Sequence, residues 1–470
     1  MTQTVKFITL GCKVNQYESQ AMSEKLAENN LQDISGSAEA CSYVVINTCT
    51  VTAEADKNNR YWIRRMRREN PSAKLVVTGC YVEKNRADLE TMPEVDLILS
   101  NYDKDKIMEK IFEGCGTDSF NPSVCEEFSP IGAATAKTLQ HATDKTKFAT
   151  LEVAHSQAGA TRAFVKIQDG CNHSCSFCKV VLVRGRSRSR ELENVIDEVK
   201  RLAEHGHKEV VFAGIQLGAY GLDFEAPEHF RKPVNRDRYF LIDVIEQSAE
   251  IPGIERIRLS SIEPIDIGDP LIECMRRVSK FCPQLHIPLQ SGDSEILNKM
   301  NRRYSREFYL DLIMKLREQI PDFELSLDVM AGFPGEETVH FQNTLDLIEK
   351  IEPLKCHVFP YSRREGTRAA AFQDVAPTLI RDRVRQISTL ADQAAQKRMQ
   401  RYVGRTMTVL AEMPREKNGF FEGLTANYLR VCFPSSEPIR GQLLPVEILT
   451  AQDGLLLGRL VLNNLKQRSF

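Results

Sequence analysis

The stretch AFVKIQDGCNHSCSFCKV, residues 163–180, opens on an apolar strand pattern and runs straight into three cysteines, Cys171, Cys175 and Cys178. A structural zinc site takes four ligands in a closed tetrahedron, and an ordinary iron–sulfur cluster takes four thiolates. Three thiols without a fourth nearby would hold such a group with one position open. The strand before them begins a series. Strands are predicted at 163–168, 209–214, 256–261, 285–290, 325–330 and 356–361, with helical patterns near 191–205, 240–249, 270–280, 305–319, 338–350 and 378–400. Six βα units in succession predict a partial (β/α)6 barrel, with its chemistry at the C-terminal ends of the strands.

Working outward, residues 1 to about 110 show the same alternation. Apolar runs at 5–10, 42–48 and 74–79 are separated by helical stretches at 17–29 and 54–69, which predicts an α/β domain with a parallel sheet. Cys12, Cys49 and Cys80 each stand at the C-terminal end of one of these strands, where open α/β sheets bind their ligands. Neighbouring strands lie roughly 4.8 Å apart, so the three thiols are expected to converge. Cys41 precedes its strand and is left out. Residues 115–160 carry little pattern and read as a linker. Beyond 402, short strands with turn glycines Gly423, Gly441 and Gly454 predict a small antiparallel β-barrel of nucleic-acid-binding type. The expected domains are thus 1–114, a linker at 115–160, 161–400 and 401–465.

Thirteen cysteines in 470 residues, with no export signal at the N-terminus, argue for metal or thiol chemistry rather than disulfides. No apolar run approaches membrane-spanning length, and a cytoplasmic location is expected. The formal net charge of −2 does not itself mark a nucleic-acid binder. Basic residues do concentrate at 58–70, 184–190 and 381–405, where each run is either a phosphate-facing patch or a solvated helix face.

An iron with a free position suits chelation of the amino and carboxylate groups of S-adenosylmethionine, whose carbon–sulfur bond a reduced cluster splits. His173 inside the loop would close that position if it were a ligand, so it is not assigned as one. A second open cluster at Cys12, Cys49 and Cys80 points to sulfur chemistry. Two other readings are a non-catalytic RNA-binding protein with structural zinc, and a radical enzyme whose second cluster only relays electrons.

The motifs TLGCKVNQYES (9–19), NTCTVTAEAD (47–56), VTGCY (77–81), GIQLGAYG (214–221), RLSSIEP (258–264), HIPLQSGD (286–293), MNRRY (300–304), AGFPGE (331–336), FPYSRREGT (359–367) and GLTANYLRV (423–431) resemble the radical S-adenosylmethionine methylthiotransferase family. They are most similar to its branch acting on N6-threonylcarbamoyladenosine in tRNA; the alternatives within the family are branches acting on isopentenyladenosine in tRNA or on a ribosomal protein. The resemblance spans nearly the whole chain and implies an N-terminal cluster domain, a radical barrel and a C-terminal RNA-binding TRAM domain. It implies two 4Fe–4S clusters, one on Cys171, Cys175 and Cys178 and one on Cys12, Cys49 and Cys80. It further implies S-adenosylmethionine as cofactor, tRNA as partner and transfer of a methylthio group to C2 of the modified adenosine 3′ to the anticodon. Phe177, Gly214, Ser261, Glu263 and Gln290 are expected to line the cofactor pocket. Arg184, Arg186, Arg188 and Arg190 are expected to meet tRNA phosphates, and Tyr428 to offer a stacking surface. Arg60, Arg64 and Arg68 share one helical face and form a second candidate patch. The sequence departs from the family at Lys179 and at Val181, which stands where a proline is usual.

Overall fold

The computed structural model describes residues 3–112, 148, 151–153, 161–225, 240–415 and 419–461. Apart from 148 and 151–153, the expected linker lies outside the described residues. The chain divides into two compact units. One comprises residues 1–155, 169–172 and 178–188, and the other residues 156–168, 173–177 and 189–470.

In the first unit five parallel strands are ordered Leu31–Asp33, Gln3–Thr9, Tyr43–Thr48, Lys74–Gly79 and Leu97–Ile98. The three expected strands are the central ones. Every residue of Tyr43–Thr48 is buried, as a parallel strand covered on both faces requires. Val44, Ile46, Leu75 and Val77 pack with Ile63 and Met66 of the helix Ala53–Glu69 in one core. That helix starts where Thr52 caps it, its hydroxyl accepting from the Ala55 N–H at 3.1 Å. Registers pair Thr9 with Asn47, Asn47 with Thr78 and Thr48 with Gly79, so the three central strands end side by side.

The second unit contains six parallel strands at Arg162–Lys166, Glu209–Ala213, Arg256–Leu259, Gln284–His286, Glu324–Ala331 and Lys355–Pro360. They form two three-stranded ladders, joined where Ile257 bridges Phe281 and the Ile262 N–H donates to the His286 carbonyl at 3.0 Å. The third and fourth strands stop short of the expected 261 and 290. Past Leu259 and His286 the backbone leaves the ladder, and Gln290 adopts φ 66° while bridging Val329.

Five strands at Thr406–Arg415, Phe420–Thr425, Arg430–Pro434, Leu443–Gln452 and Leu455–Leu460 close into a barrel around Val409, Val431, Phe433, Val446 and Leu456. It is not wholly antiparallel: Arg430–Pro434 and Leu455–Leu460 pair in parallel, which closes the ring. Gly423 is required here, because a Cβ would lie 2.2 Å from the Leu410 carbonyl oxygen. The barrel is tied to the six-stranded part through buried charge. Arg256 donates to the carbonyls of Leu424 (2.9 Å) and Thr408 (2.7 Å), and Arg258 pairs with Glu209 at 2.9 Å. Burial alone would raise the Glu209 carboxyl, but the guanidiniums of Arg258, Arg162 and Arg256 hold it below its ordinary range.

Candidate iron–sulfur and cofactor sites

The first unit brings Cys12, Cys49 and Cys80 to the ends of three adjacent strands. Cys49 follows Thr48 directly and Cys80 follows Gly79, while Cys12 caps the start of the helix Lys13–Ala27. Two glycines allow the approach. At Gly11 (φ 98°) a Cβ would sit 2.7 Å from the Cys49 Cβ and 2.9 Å from its Sγ. At Gly79 (φ 100°) it would strike the Thr48 backbone at 2.4 Å. Asn15 Nδ2 straps the ends together by donating to the carbonyls of Leu10 (2.7 Å) and Thr48 (3.0 Å). Asn59 holds Cys49 by both backbone groups. Burial pushes the Cys49 thiol up to about 11, and Cys80 and Cys12 add to the rise.

Arg184 corrects the sequence expectation most sharply. It is 1% exposed and meets no solvent phosphate. Its Nε donates to Cys80 Sγ at 3.2 Å, Nη1 to Glu18 Oε1 and Asp169 Oδ1 at 3.0 Å each, and Nη2 to Asn15 Oδ1 at 2.6 Å. Buried Lys104 adds a second cation on Glu18 and also reaches Asn47 Oδ1 at 3.1 Å. Arg188 is likewise buried, 3.6 Å from Asp169, with its guanidinium over the Tyr102 ring. Three cations thus face two carboxylates, Glu18 and Asp169, and the surplus positive charge lies against Cys80. Burial raises the Cys80 thiol, while Arg184 and Lys104 oppose the rise. This setting favours an anionic sulfur or an anionic cluster. Arg190 is also lost as a phosphate contact, being buried with Glu198 at 2.5 Å. Of the expected run only Arg186 is exposed.

The loop at 171–178 is pinned residue by residue. In the first unit, the Cys171 N–H donates to the Gly185 carbonyl (3.1 Å), and the Val180 N–H donates to Cys178 Sγ (3.4 Å). In the second, the Ser176 N–H donates to the Met300 carbonyl at 2.9 Å, and Asn301 and Arg368 both donate to the Ser174 carbonyl. Arg302 Nη1 lies 3.5 Å from Cys175 Sγ and is paired with Glu263. His173 shares a 2.9 Å hydrogen bond with Gln216. The thiols of Cys171, Cys175 and Cys178 are each half-exposed.

The expected pocket residues divide. Phe177 packs edge-on against Phe333, centroids 6.4 Å apart. Gly214 is explained by local packing, since a Cβ there would meet Leu217 at 2.8 Å and Gln168 at 3.0 Å. Ser261 is half-buried. Glu263 is raised by burial against the opposing pull of Arg302, and part of its acceptor capacity is taken by that guanidinium. Gln290 is buried, and its Oε1 has no partner among the described residues. An orphaned acceptor of that kind calls for a donor from a bound molecule. Arg302, within the MNRRY motif, and the polar group of His286, Asp328 and His357, whose ligand atoms lie within 4.8 Å of one another, are candidate site residues that the sequence reading did not single out. The half-buried Tyr428 ring lies beneath the guanidiniums of Arg258 (4.9 Å) and Arg162 (5.9 Å).

Residues 4–100 match the family described as Uncharacterized protein family UPF0004, and residues 165–348 match the Radical SAM superfamily. The chain is 36% identical over 452 residues to the threonylcarbamoyladenosine tRNA methylthiotransferase MtaB of Bacillus subtilis, covering 95% of this chain and 94% of that one. The chain belongs to the radical S-adenosylmethionine methylthiotransferase family. The MtaB of Chlamydia pneumoniae is 37% identical over 410 residues, 87% of each chain. A second branch is also similar: the tRNA-2-methylthio-N(6)-dimethylallyladenosine synthase of Clostridium perfringens is 31% identical over 461 residues, 96% of each chain. Among solved structures, the radical S-adenosylmethionine methyltransferase TsrM of Kitasatospora setae matches with TM-score 0.54 and 16% identity, over 78% of this chain and 77% of that one. The latter shows a shared fold. As a methylthiotransferase of this family the chain is an enzyme that uses iron–sulfur chemistry and S-adenosylmethionine.

Proposed function

We propose that this enzyme transfers a methylthio group to C2 of N6-threonylcarbamoyladenosine in tRNA, with two 4Fe–4S clusters. One would be held by Cys171, Cys175 and Cys178, the other by Cys12, Cys49 and Cys80. The observation that supports the reading is the position of Cys12, Cys49 and Cys80 at the ends of three adjacent strands, with the buried Arg184 guanidinium donating to Cys80. The clusters, when bound, supply reductive cleavage of S-adenosylmethionine at one site and sulfur delivery at the other.

The chain's own residues do the rest. Arg302 donates to Cys175 and is oriented by Glu263. Gln290 presents a buried oxygen to a donor of the bound cofactor, and Phe177 walls the pocket with Phe333. Arg184 and Lys104 offset negative charge at the N-terminal thiolates. The substrate branch rests on relatives: the MtaB proteins are named for threonylcarbamoyladenosine, at 36% and 37% identity against 31% for the dimethylallyladenosine synthase.

Nucleosides from tRNA of cells with and without the gene test this by mass spectrometry. Loss of the 2-methylthio form of threonylcarbamoyladenosine, with its unthiolated parent accumulating, is expected. Loss of a methylthio-dimethylallyl species instead would reassign the branch.

A further inference from the structure

We infer that the helix Ala53–Glu69 carries a second tRNA-binding surface, one that grips the phosphate backbone from the N-terminal unit. This rests on the proposed tRNA substrate. An open groove of about 650 Å³ on this helix is lined by Lys57, Arg60, Tyr61, Arg64, Arg67, Arg68 and Glu94, five cations against one carboxylate. Lys57, Tyr61, Arg64 and Arg68 are all exposed and follow at helical spacing, so they form one stripe. At 1.5 Å per residue the stripe is roughly 16 Å long, a span that meets several phosphates of an RNA strand.

The cations differ in what they already do. Arg67 is structural: it pairs with Asp96 and donates to the carbonyls of Pro71, Ala73 and Glu94. Arg60 donates to the Tyr81 hydroxyl at 2.9 Å. Arg64 has only a long 3.7 Å contact with Glu94, and Lys57 a 3.5 Å contact with exposed Glu54. Arg68 has no hydrogen-bond or ion-pair partner among the described residues. Three cations are therefore available, with Tyr61, 52% exposed, between them. Available cations flanking an exposed ring suit a nucleic-acid backbone with a sugar or base edge. A patch for an acidic protein would not need the ring. The helix begins four residues after Cys49, so its first turn stands beside the N-terminal thiols.

The test compares full-length, cluster-loaded enzyme with a variant carrying Lys57→Gln, Arg64→Gln and Arg68→Gln. Binding of tRNA is measured across a salt series. A control variant carries Lys200→Gln, Arg276→Gln and Lys350→Gln, which removes the same charge from other exposed positions. The stripe variant is expected to lose affinity at least about tenfold near 0.1 M salt, and its slope of log K against log salt to fall by about 2 to 3. The control is expected to retain both values. Equal loss in both variants would reduce the effect to net charge and overturn the inference. Unchanged binding in the stripe variant would overturn it while leaving the tRNA substrate intact. Wild-type enzyme that binds no tRNA would overturn both.

Discussion

Replacing Arg184 with Gln removes the guanidinium that joins Glu18, Asp169, Asn15 and Cys80. All four are buried, so the two carboxylates lose a partner that solvent cannot readily replace. Lys104 still pairs with Glu18, while Asp169 keeps Arg188 at 3.6 Å and the Gly170 N–H at 2.8 Å. Breaking a buried pair from one side costs about 3–5 kcal/mol. Because two units need not unfold together, the cost is best read locally, by hydrogen exchange in the helix Lys13–Ala27 that carries Glu18 and Asn15. Exchange there should accelerate by roughly two to four orders of magnitude. Arg184→Lys keeps the charge but not the fork, and should fall between. Iron retained by the N-terminal site should drop in the same order. Unchanged exchange and unchanged iron in Arg184→Gln would refute the buried-charge account.

Cys175→Ala should abolish formation of 5′-deoxyadenosine, whereas Cys49→Ala should leave some and lose methylthiolation; equal loss of both activities in both variants would contradict the division of labour. Glu209→Gln should destabilise the second unit near neutral pH, since Glu209 is held below its ordinary range. A carboxyl with a lowered folded pKa contributes stability that is present above the usual value of about 4.3 and is lost below it, so the mutant and wild-type denaturation curves should approach each other in acid. Gly423→Ala should force the strands Thr406–Arg415 and Phe420–Thr425 apart, because its Cβ would lie 2.2 Å from the Leu410 oxygen. Loss of protection confined to the C-terminal barrel, with both cysteine sites still loading iron, is the expected exchange pattern.

The cysteines were legible because their positions relative to strand ends follow from local patterns alone. Strand alternation places Cys49 and Cys80 one residue beyond their ladders, and the parallel registers do the rest. The arginines were not legible, because burial depends on partners far along the chain. Arg184 meets Glu18 across 166 residues, and nothing in RGRSRSR distinguishes it from a solvated run. The pairing of the Tyr428 ring with Arg162 and Arg258 was out of reach for the same reason. The edge strands Leu31–Asp33 and Leu97–Ile98 are too short to show a period. The early ends of the strands at Leu259 and His286 reflect a backbone that bends to form the site, as Gln290 with its positive φ illustrates.

The central claim is that two separate sets of three cysteines each hold a cluster. Anaerobic reconstitution followed by iron and sulfide analysis tests it most directly, on wild type and on two variants with either Cys12, Cys49 and Cys80 or Cys171, Cys175 and Cys178 changed to Ala. About eight irons per wild-type chain and about four in each variant are predicted. About four in the wild type, with no loss in the Cys12, Cys49 and Cys80 variant, would contradict the account.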